Sequence, residues 1–439
     1  VGAVLALAGC AVPQQQGQGV SGPAGMSLEK VAFDQLPGWS ADHVARALPA
    51  FRAGCAEMKS PAGASGSLGG AGEAAAKGGQ PAQWQAACDA AAGVPAGDEA
   101  AARQFFEQFF QPYAVAENGS AEGLFTGYYE PEVHGSRTPE HGYPVPLYRL
   151  PPDLVTVDLS LFPGALAKGT LSGPVQAGQL IPAPPAPDPA PVSRGIARLP
   201  VPQVTVDLSL FPEAAKTNHV IGRVRDGKLV PYYDRAAIME GALAHKRLEL
   251  LWVDNAIDAF FLEVQGAGRV VLPDHHVVRV AYAGQNGLPY KAIGRVLADR
   301  GAMTLDQVTM QSIRAWMEAH PGEATEVMNQ NPSYVFFREV DGVGPDQGPP
   351  GAMGGLALTP GRSIAVDRGY LPLGAPVWVD TTDPVDGAPL QRLMLAQDLG
   401  GAIRGAVRAD IFFGWGPEAE ARAGRMRQKG RQYVLLPKA

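Results

Sequence analysis

Apolar positions recur at helical spacing early in the chain and gather into short, separated runs late in it. Over 83–110, Trp84, Ala87 and Ala91, then Phe105, Phe106, Phe109 and Phe110, fall three and four residues apart, which predicts helix; 40–58 reads the same way. Leu124 to Pro131 predicts a strand ending in a turn. Asp234 suits the N-cap of a helix over 235–245. Apolar runs at 248–253 and 257–265 follow, then strands at 270–272 and 277–280 around the Pro273-Asp274 turn. Helices are predicted over 293–300, stopped by Gly301, and from Thr304 to His320. Residues 331–338 read as a loop entering a strand. The C-terminal quarter alternates short strands (363–366, 376–379, 392–396, 409–413) with tight turns. A helix over 417–426 has Pro in its first turn, and 432–436 is a closing strand. Short strands at this spacing suggest a small barrel.

The 54 Gly and 40 Pro residues reinforce a turn-rich, mainly β reading with helices, an α+β fold. An internal repeat adds detail. Val155-Thr156-Val157-Asp158-Leu159-Ser160-Leu161-Phe162-Pro163 recurs at 204–212, and each copy follows an Arg-Leu-Pro beginning at Arg149 or Arg198. Two copies do not make a solenoid. With the Pro/Ala-rich stretch 182–191 between them, the segment 155–203 reads as a duplicated, linker-like insertion without chemistry, whose removal is expected to be tolerated. The net charge of −7 and the lack of a basic arm give no sign of a nucleic-acid partner.

The first residues form a small apolar run ending in Leu7-Ala8-Gly9-Cys10, which looks like a bacterial lipobox with Cys10 as the lipidated residue. The run is too short to span a bilayer. Residues 10–30 then read as a tether. Ala11 after the Cys suggests the outer membrane, periplasmic face. In that oxidising compartment the two other cysteines, Cys55 and Cys88, suggest one disulfide, closing a floppy Gly/Ala/Ser loop over 59–82. No His/Cys cluster has zinc spacing, so no metal is expected.

Three aspartates sit at the edges of apolar runs in the C-terminal region: Asp367, Asp398 and Asp410. Aspartate is disfavoured in strands and costly to bury unpaired. Their recurrence in one small region therefore makes them candidates for chemistry, against the plainer role of turn-forming side chains. Aromatic residues beside Gly-rich turns (Tyr128, Tyr129, Tyr282, Tyr334 and Trp415) offer faces for sugar rings. Gln265, Gln285 and Asn286 offer partners for hydroxyl and N-acetyl groups. Thr126 and Asp367 complete the candidate substrate-binding set.

Several separate motifs carry a resemblance. They include Phe125-Thr126-Gly127-Tyr128-Tyr129-Glu130-Pro131, Val264-Gln265-Gly266-Ala267-Gly268, Tyr282-Ala283-Gly284-Gln285-Asn286-Gly287, Gln330-Asn331-Pro332-Ser333-Tyr334, Gly400-Gly401-Ala402-Ile403-Arg404-Gly405 and Asp410-Ile411-Phe412. In this order they resemble the membrane-bound lytic murein transglycosylase A family with its C-terminal 3D domain, over about 98–150 and 220–436. The resemblance implies a double-psi β-barrel from 31–145 and 336–439. It also implies an inserted β domain over 146–335 and a groove between the two. It makes Asp410 the catalytic acid/base, with Asp398 close by and no cofactor. The implied substrate is peptidoglycan, cut at the β-1,4 bond between N-acetylmuramic acid and N-acetylglucosamine to leave 1,6-anhydromuramoyl ends. Implied partners are glycan strands, outer-membrane lipid and cell-wall synthesis or hydrolysis proteins. The residues alone leave two alternatives: a hydrolase using Asp398 and Asp410 as a pair, or a non-catalytic peptidoglycan-binding lipoprotein. The long Gly/Ala and Pro/Ala insertions depart from the family pattern.

Overall fold

The computed structural model describes residues 25–139, 142–183, 202–344 and 346–438. Cys10, the lipobox and most of the Pro/Ala stretch lie outside the described residues. Regular structure begins within the segment read as a tether. Strand β1 (Met26–Lys30) pairs antiparallel with β2 (Phe110–Glu117). Between them the helices Leu48–Lys59, Gln85–Ala92 and Glu99–Phe109 bury Phe51, Trp84, Phe105 and Phe106. The single helix predicted over 83–110 is two. It breaks at Gly93 to Gly97 and restarts where the Asp98 side chain caps Ala101 N–H (2.9 Å), and Phe110 already belongs to β2.

The Gly/Ala stretch is not a floppy loop. It contains a helix, Gly72–Gly78, and buries Leu68, Ala71 and Ala74. Gly69 and Gly70 take φ of +93° and +92°, and Gly70 N–H donates to the Arg368 carbonyl at 2.9 Å. A Cβ at Gly69 would stand 2.5 Å from that same oxygen, so only glycine allows the close approach. A Cys55–Cys88 disulfide (Cα–Cα 5.4 Å) joins the Leu48–Lys59 and Gln85–Ala92 helices.

After β3 (Gly123–Glu130) the chain crosses at Pro131 into an inserted region. Both β4 (Glu132–Ser136) and β5 (Val145–Tyr148) belong to the sheet of that insert, so the crossing falls before the boundary read near 145. Next come β6 (Leu154–Asp158), β7 (Thr170–Gln176), β8 (Gln179–Leu180), β9 (Gln203–Asp207), β10 (His219–Arg225) and β11 (Lys228–Pro231), which form a closed barrel. The repeat explains it. Thr156 pairs with Gln179 and, 49 residues on, Thr205 pairs with Lys228. Asp158 pairs with His219, and Asp207 with Thr170. Matched residues fill the core: Val157 and Val206, Leu180 and Leu229. The 155–203 segment is thus no dispensable loop. Each copy supplies half of the barrel, and the Val and Leu residues of the two halves form one core.

The remaining strands of the insert, β12 (Glu249–Val253), β13 (Ala267–Val271), β14 (Val277–Gln285) and β15 (Val335–Glu339), join β4 and β5 in a six-stranded sheet. Helices Ala256–Gln265, Ile293–Asp299, Met310–Ala319 and Pro321–Asn329 pack beside it. The helix expected from Thr304 starts six residues later, because Thr309 is the residue that caps it, at Ser312 N–H. The helix expected over 235–245 is a short α turn running into a wide turn that ends at Ala242, interrupted by Gly241 at φ +98°.

The chain returns through β16 (Ser363–Val366), β17 (Pro376–Thr382), β18 (Pro389–Leu399), β19 (Arg408–Trp415), the helix Gly416–Ala423 and β20 (Arg427–Pro437). The hydrogen-bonded order is β1-β2-β20-β17-β18-β16-β19-β3, and β20 also pairs with β3, which closes the last six strands into a second barrel. Ile364, Val366, Val377, Trp378, Ile411, Val434 and Leu435 belong to the core inside and around it. Where the two crossings meet, buried Glu130 receives Arg269 Nε (2.9 Å) and Arg279 Nη2 (2.6 Å). The same guanidinium groups hold the carbonyls of Gly344 and Gln347 on the returning loop.

Candidate active site

Four neighbouring strands carry one row of residues. Asp398 on β18 pairs across to Ala365 on β16. Ala365 pairs with Asp410 on β19, and Asp410 with Thr126 on β3. Residues opposed across strands share a face, so the two carboxylates flank a small alanine with Cα atoms about 10 Å apart, two strand spacings.

Each carboxylate is held differently. Asp410 is partly buried, and its Oδ1 accepts the Thr126 hydroxyl at 2.6 Å. The same hydroxyl oxygen accepts from Arg408 Nη2 at 2.8 Å. Burial pushes the Asp410 carboxyl above the ordinary aspartate range, while the Thr126 hydrogen bond and the Arg408 charge pull the other way. Asp398 accepts Tyr128 OH on Oδ2 (2.8 Å) and Ala352 N–H on Oδ1 (3.0 Å). Burial raises it too, but Tyr128 and the N–H groups of Leu399 and Ala352 stabilise its charged form. Both Asp398 oxygens act as acceptors, and protonation would weaken these bonds. Burial and the Asp398 charge hold the Tyr128 hydroxyl well above its usual range, which keeps it a donor.

The insert reaches β3 through Gln265, whose Oε1 accepts Tyr129 N–H at 3.2 Å, and within the insert Tyr282 N–H donates to Gly266 O at 2.7 Å. Tyr282 is 49% exposed and free to meet a ligand face. Trp415 lies under the Arg269 guanidinium, 4.0 Å from the ring centroid. Gln285 is partly buried, with its Oε1 3.5 Å from Ser333 Oγ.

Four other predicted site residues are placed elsewhere. Asn286 is fully buried and binds the Tyr233 and Pro332 carbonyls and Tyr334 N–H, so it fastens loops. Tyr334 is buried against Arg235 and Phe336. Tyr129 points the other way from Tyr128, into a cluster with Ala419 and Ala423. Asp367 accepts Gly369 N–H (2.9 Å) and Gly405 N–H (3.0 Å), a turn-forming role. Two groups escaped the sequence reading. Arg408 was detectable, since a strand residue two before Asp410 shares its face. Ala352 N–H was not, because its loop is distant in sequence. Among the described residues no group of three or more His, Cys, Asp or Glu could hold a metal ion.

The chain matches the MltA specific insert domain over 124–187 and 190–338 and the 3D domain over 362–436. The first match ends inside β15 and the second spans β16 to β20. A 3D-domain barrel interrupted by an MltA-specific β insert, with paired aspartates on the barrel, defines the class. MltA from Neisseria gonorrhoeae superposes with a TM-score of 0.74 at 35% identity, covering 98% of this chain and 95% of that one. The membrane-bound lytic murein transglycosylase A of Vibrio cholerae is 36% identical over 209 residues, 46% of this chain and 55% of the relative. That of Escherichia coli K12 is 38% identical over 208 residues, with the same shares. The aligned part spans about half the length of these curated relatives. The chain belongs to the membrane-bound lytic murein transglycosylase A family.

Proposed function

We propose that the protein is a lytic transglycosylase that cuts the β-1,4 bond between N-acetylmuramic acid and N-acetylglucosamine, with Asp410 as its single acid/base. The observation that carries this reading is the asymmetry of the two carboxylates. Asp398 has both oxygens engaged, while Asp410 has one oxygen engaged and a pKa raised by burial. A raised pKa keeps an aspartate protonated at higher pH and suits a general acid. Asp410 would give its proton to the glycosidic oxygen as the C1–O bond breaks. The C6 hydroxyl of the same muramoyl residue attacks C1, and its proton returns to Asp410. No water enters, and the tethered hydroxyl gains from proximity. The Asp398 charge would stabilise positive charge developing at C1, and Tyr282 and Trp415 would face sugar rings. Lipidation at Cys10 would hold the enzyme on the periplasmic face of the outer membrane, beside its substrate and near cell-wall synthesis or hydrolysis proteins. Among the described residues no helix is long and apolar enough to cross a membrane.

Digestion of purified sacculi tests the residue roles. Asp410→Asn should lower the rate by about 10²-fold or more, the scale of general acid catalysis, with glycan binding kept. Asp398→Asn should do less damage. A near wild-type rate for Asp410→Asn would refute the assignment.

A further inference from the structure

We propose that Arg408 is a positioning residue for Asp410, acting through the Thr126 hydroxyl to fix which carboxyl oxygen carries the proton. The inference rests on the reading of Asp410 as the acid/base. Arg408 lies two residues before Asp410 on β19, so both side chains leave the same face of the strand. Its Nη1 donates to the carbonyls of Ala409 (2.6 Å) and Leu124 (3.3 Å), which holds the guanidinium between β19 and β3. Its Nη2 donates to Thr126 Oγ1 at 2.8 Å.

A threonine hydroxyl has one proton to give. With a guanidinium N–H aimed at its oxygen, that proton is turned away from Arg408 and towards Asp410 Oδ1, 2.6 Å distant. Oδ1 is therefore always an acceptor. A proton bound to Oδ1 would make that oxygen a poorer acceptor for the hydroxyl, so the carboxylic proton is favoured on Oδ2. The relay thus directs the acid's proton to the oxygen that Thr126 does not occupy, and the same oxygen serves as base on the return step. The other groups facing Asp410 are Asp398 on β18 and Tyr128 on β3, whereas β16 presents only Ala365. Arg408 is the cation of this set. Its charge opposes the rise that burial imposes on Asp410, so it also sets the pH at which the proton leaves.

The test is a carboxyl carbon NMR titration of Asp410 in the full chain, run beside kcat/KM against pH. The variants are Arg408→Gln, Thr126→Val and Thr126→Ser. In Arg408→Gln and Thr126→Val the Asp410 titration and the falling alkaline limb should move up together by about one pH unit, the lower end of an opposite-charge effect. Thr126→Ser should restore the wild-type titration. Thr126→Val removes a bond to Asp410 by itself, so the relay is read from the double variant: Arg408→Gln should move the Asp410 titration less in the Thr126→Val background than in the wild type, and an equal shift in both would overturn the relay. An Asp410 titration unchanged in Thr126→Val and in Arg408→Gln would overturn the relay. The titration reads Asp410 whatever the wild type produces. Absence of anhydro ends from wild-type digests would therefore refute the proposed function alone, while the relay stands or falls on the NMR result.

Discussion

Burial favours the protonated form of Asp410. Burial lifts its folded-state pKa above the ordinary value of 3.8. Its contribution to stability is whole below that value and is lost as pH rises through the folded pKa. Asp410→Asn, which still offers Thr126 an acceptor, should therefore raise Tm at neutral pH, and the gain should vanish in acid. Thermal melts across pH check this, and equal Tm values at neutral pH would contradict it. At this scale the sequence was legible where an aspartate interrupts an apolar run, as at Asp398 and Asp410. It was misleading where a polar side chain serves the backbone. Asn286 fastens the carbonyls of loops distant in sequence, which no local pattern reveals, and Asp367 joins a local turn at Gly369 to the distant Gly405 N–H. The aromatic candidates divide for a simpler reason: alternate residues of β3 face opposite ways, so Tyr128 meets Asp398 while Tyr129 is buried behind it.

Among the elements, the duplicated barrel is where local reading and structure part most. The alternation Val155-Thr156-Val157 is a strand signal, and its repetition was visible. What was not visible is that the two copies pair through β7, β8, β10 and β11 in matched registers. That closure involves contacts far apart in sequence, across a Pro/Ala stretch that looks like a linker. Removing 155–203 takes away most of β6, all of β7 and β8, and the first residue of β9. The survivors would then expose Val206, Val220 and Leu229, which are buried now. Such a chain should be insoluble or lose the barrel's β signal in circular dichroism. A soluble chain with wild-type spectrum and melting would show that the barrel does not depend on both halves. Strands of the C-terminal barrel were easier to read because tight turns bound each one, and only their ends were underestimated, as β18 and β20 run eleven residues each.

For the whole molecule, the link between barrel and insert is chemical as well as covalent. Glu130 ends the strand that carries Thr126 and Tyr128, and Arg269 and Arg279 bind both it and the returning loop. Glu130→Ala would leave two buried guanidiniums without their carboxylate, a loss of about 3–5 kcal/mol. Chemical denaturation should show that loss, and an unchanged midpoint would mean that the junction relaxes freely. This tie holds the insert, with Gln265 bonded to β3, against the strand that carries Thr126. The central claim is that the C6 hydroxyl, not water, attacks C1. Digestion of sacculi in heavy-oxygen water, followed by mass spectrometry of the released muropeptides, tests that claim most directly. The account predicts anhydromuramoyl products without label from the wild type and almost none from Asp410→Asn; reducing ends carrying the heavy oxygen would contradict it.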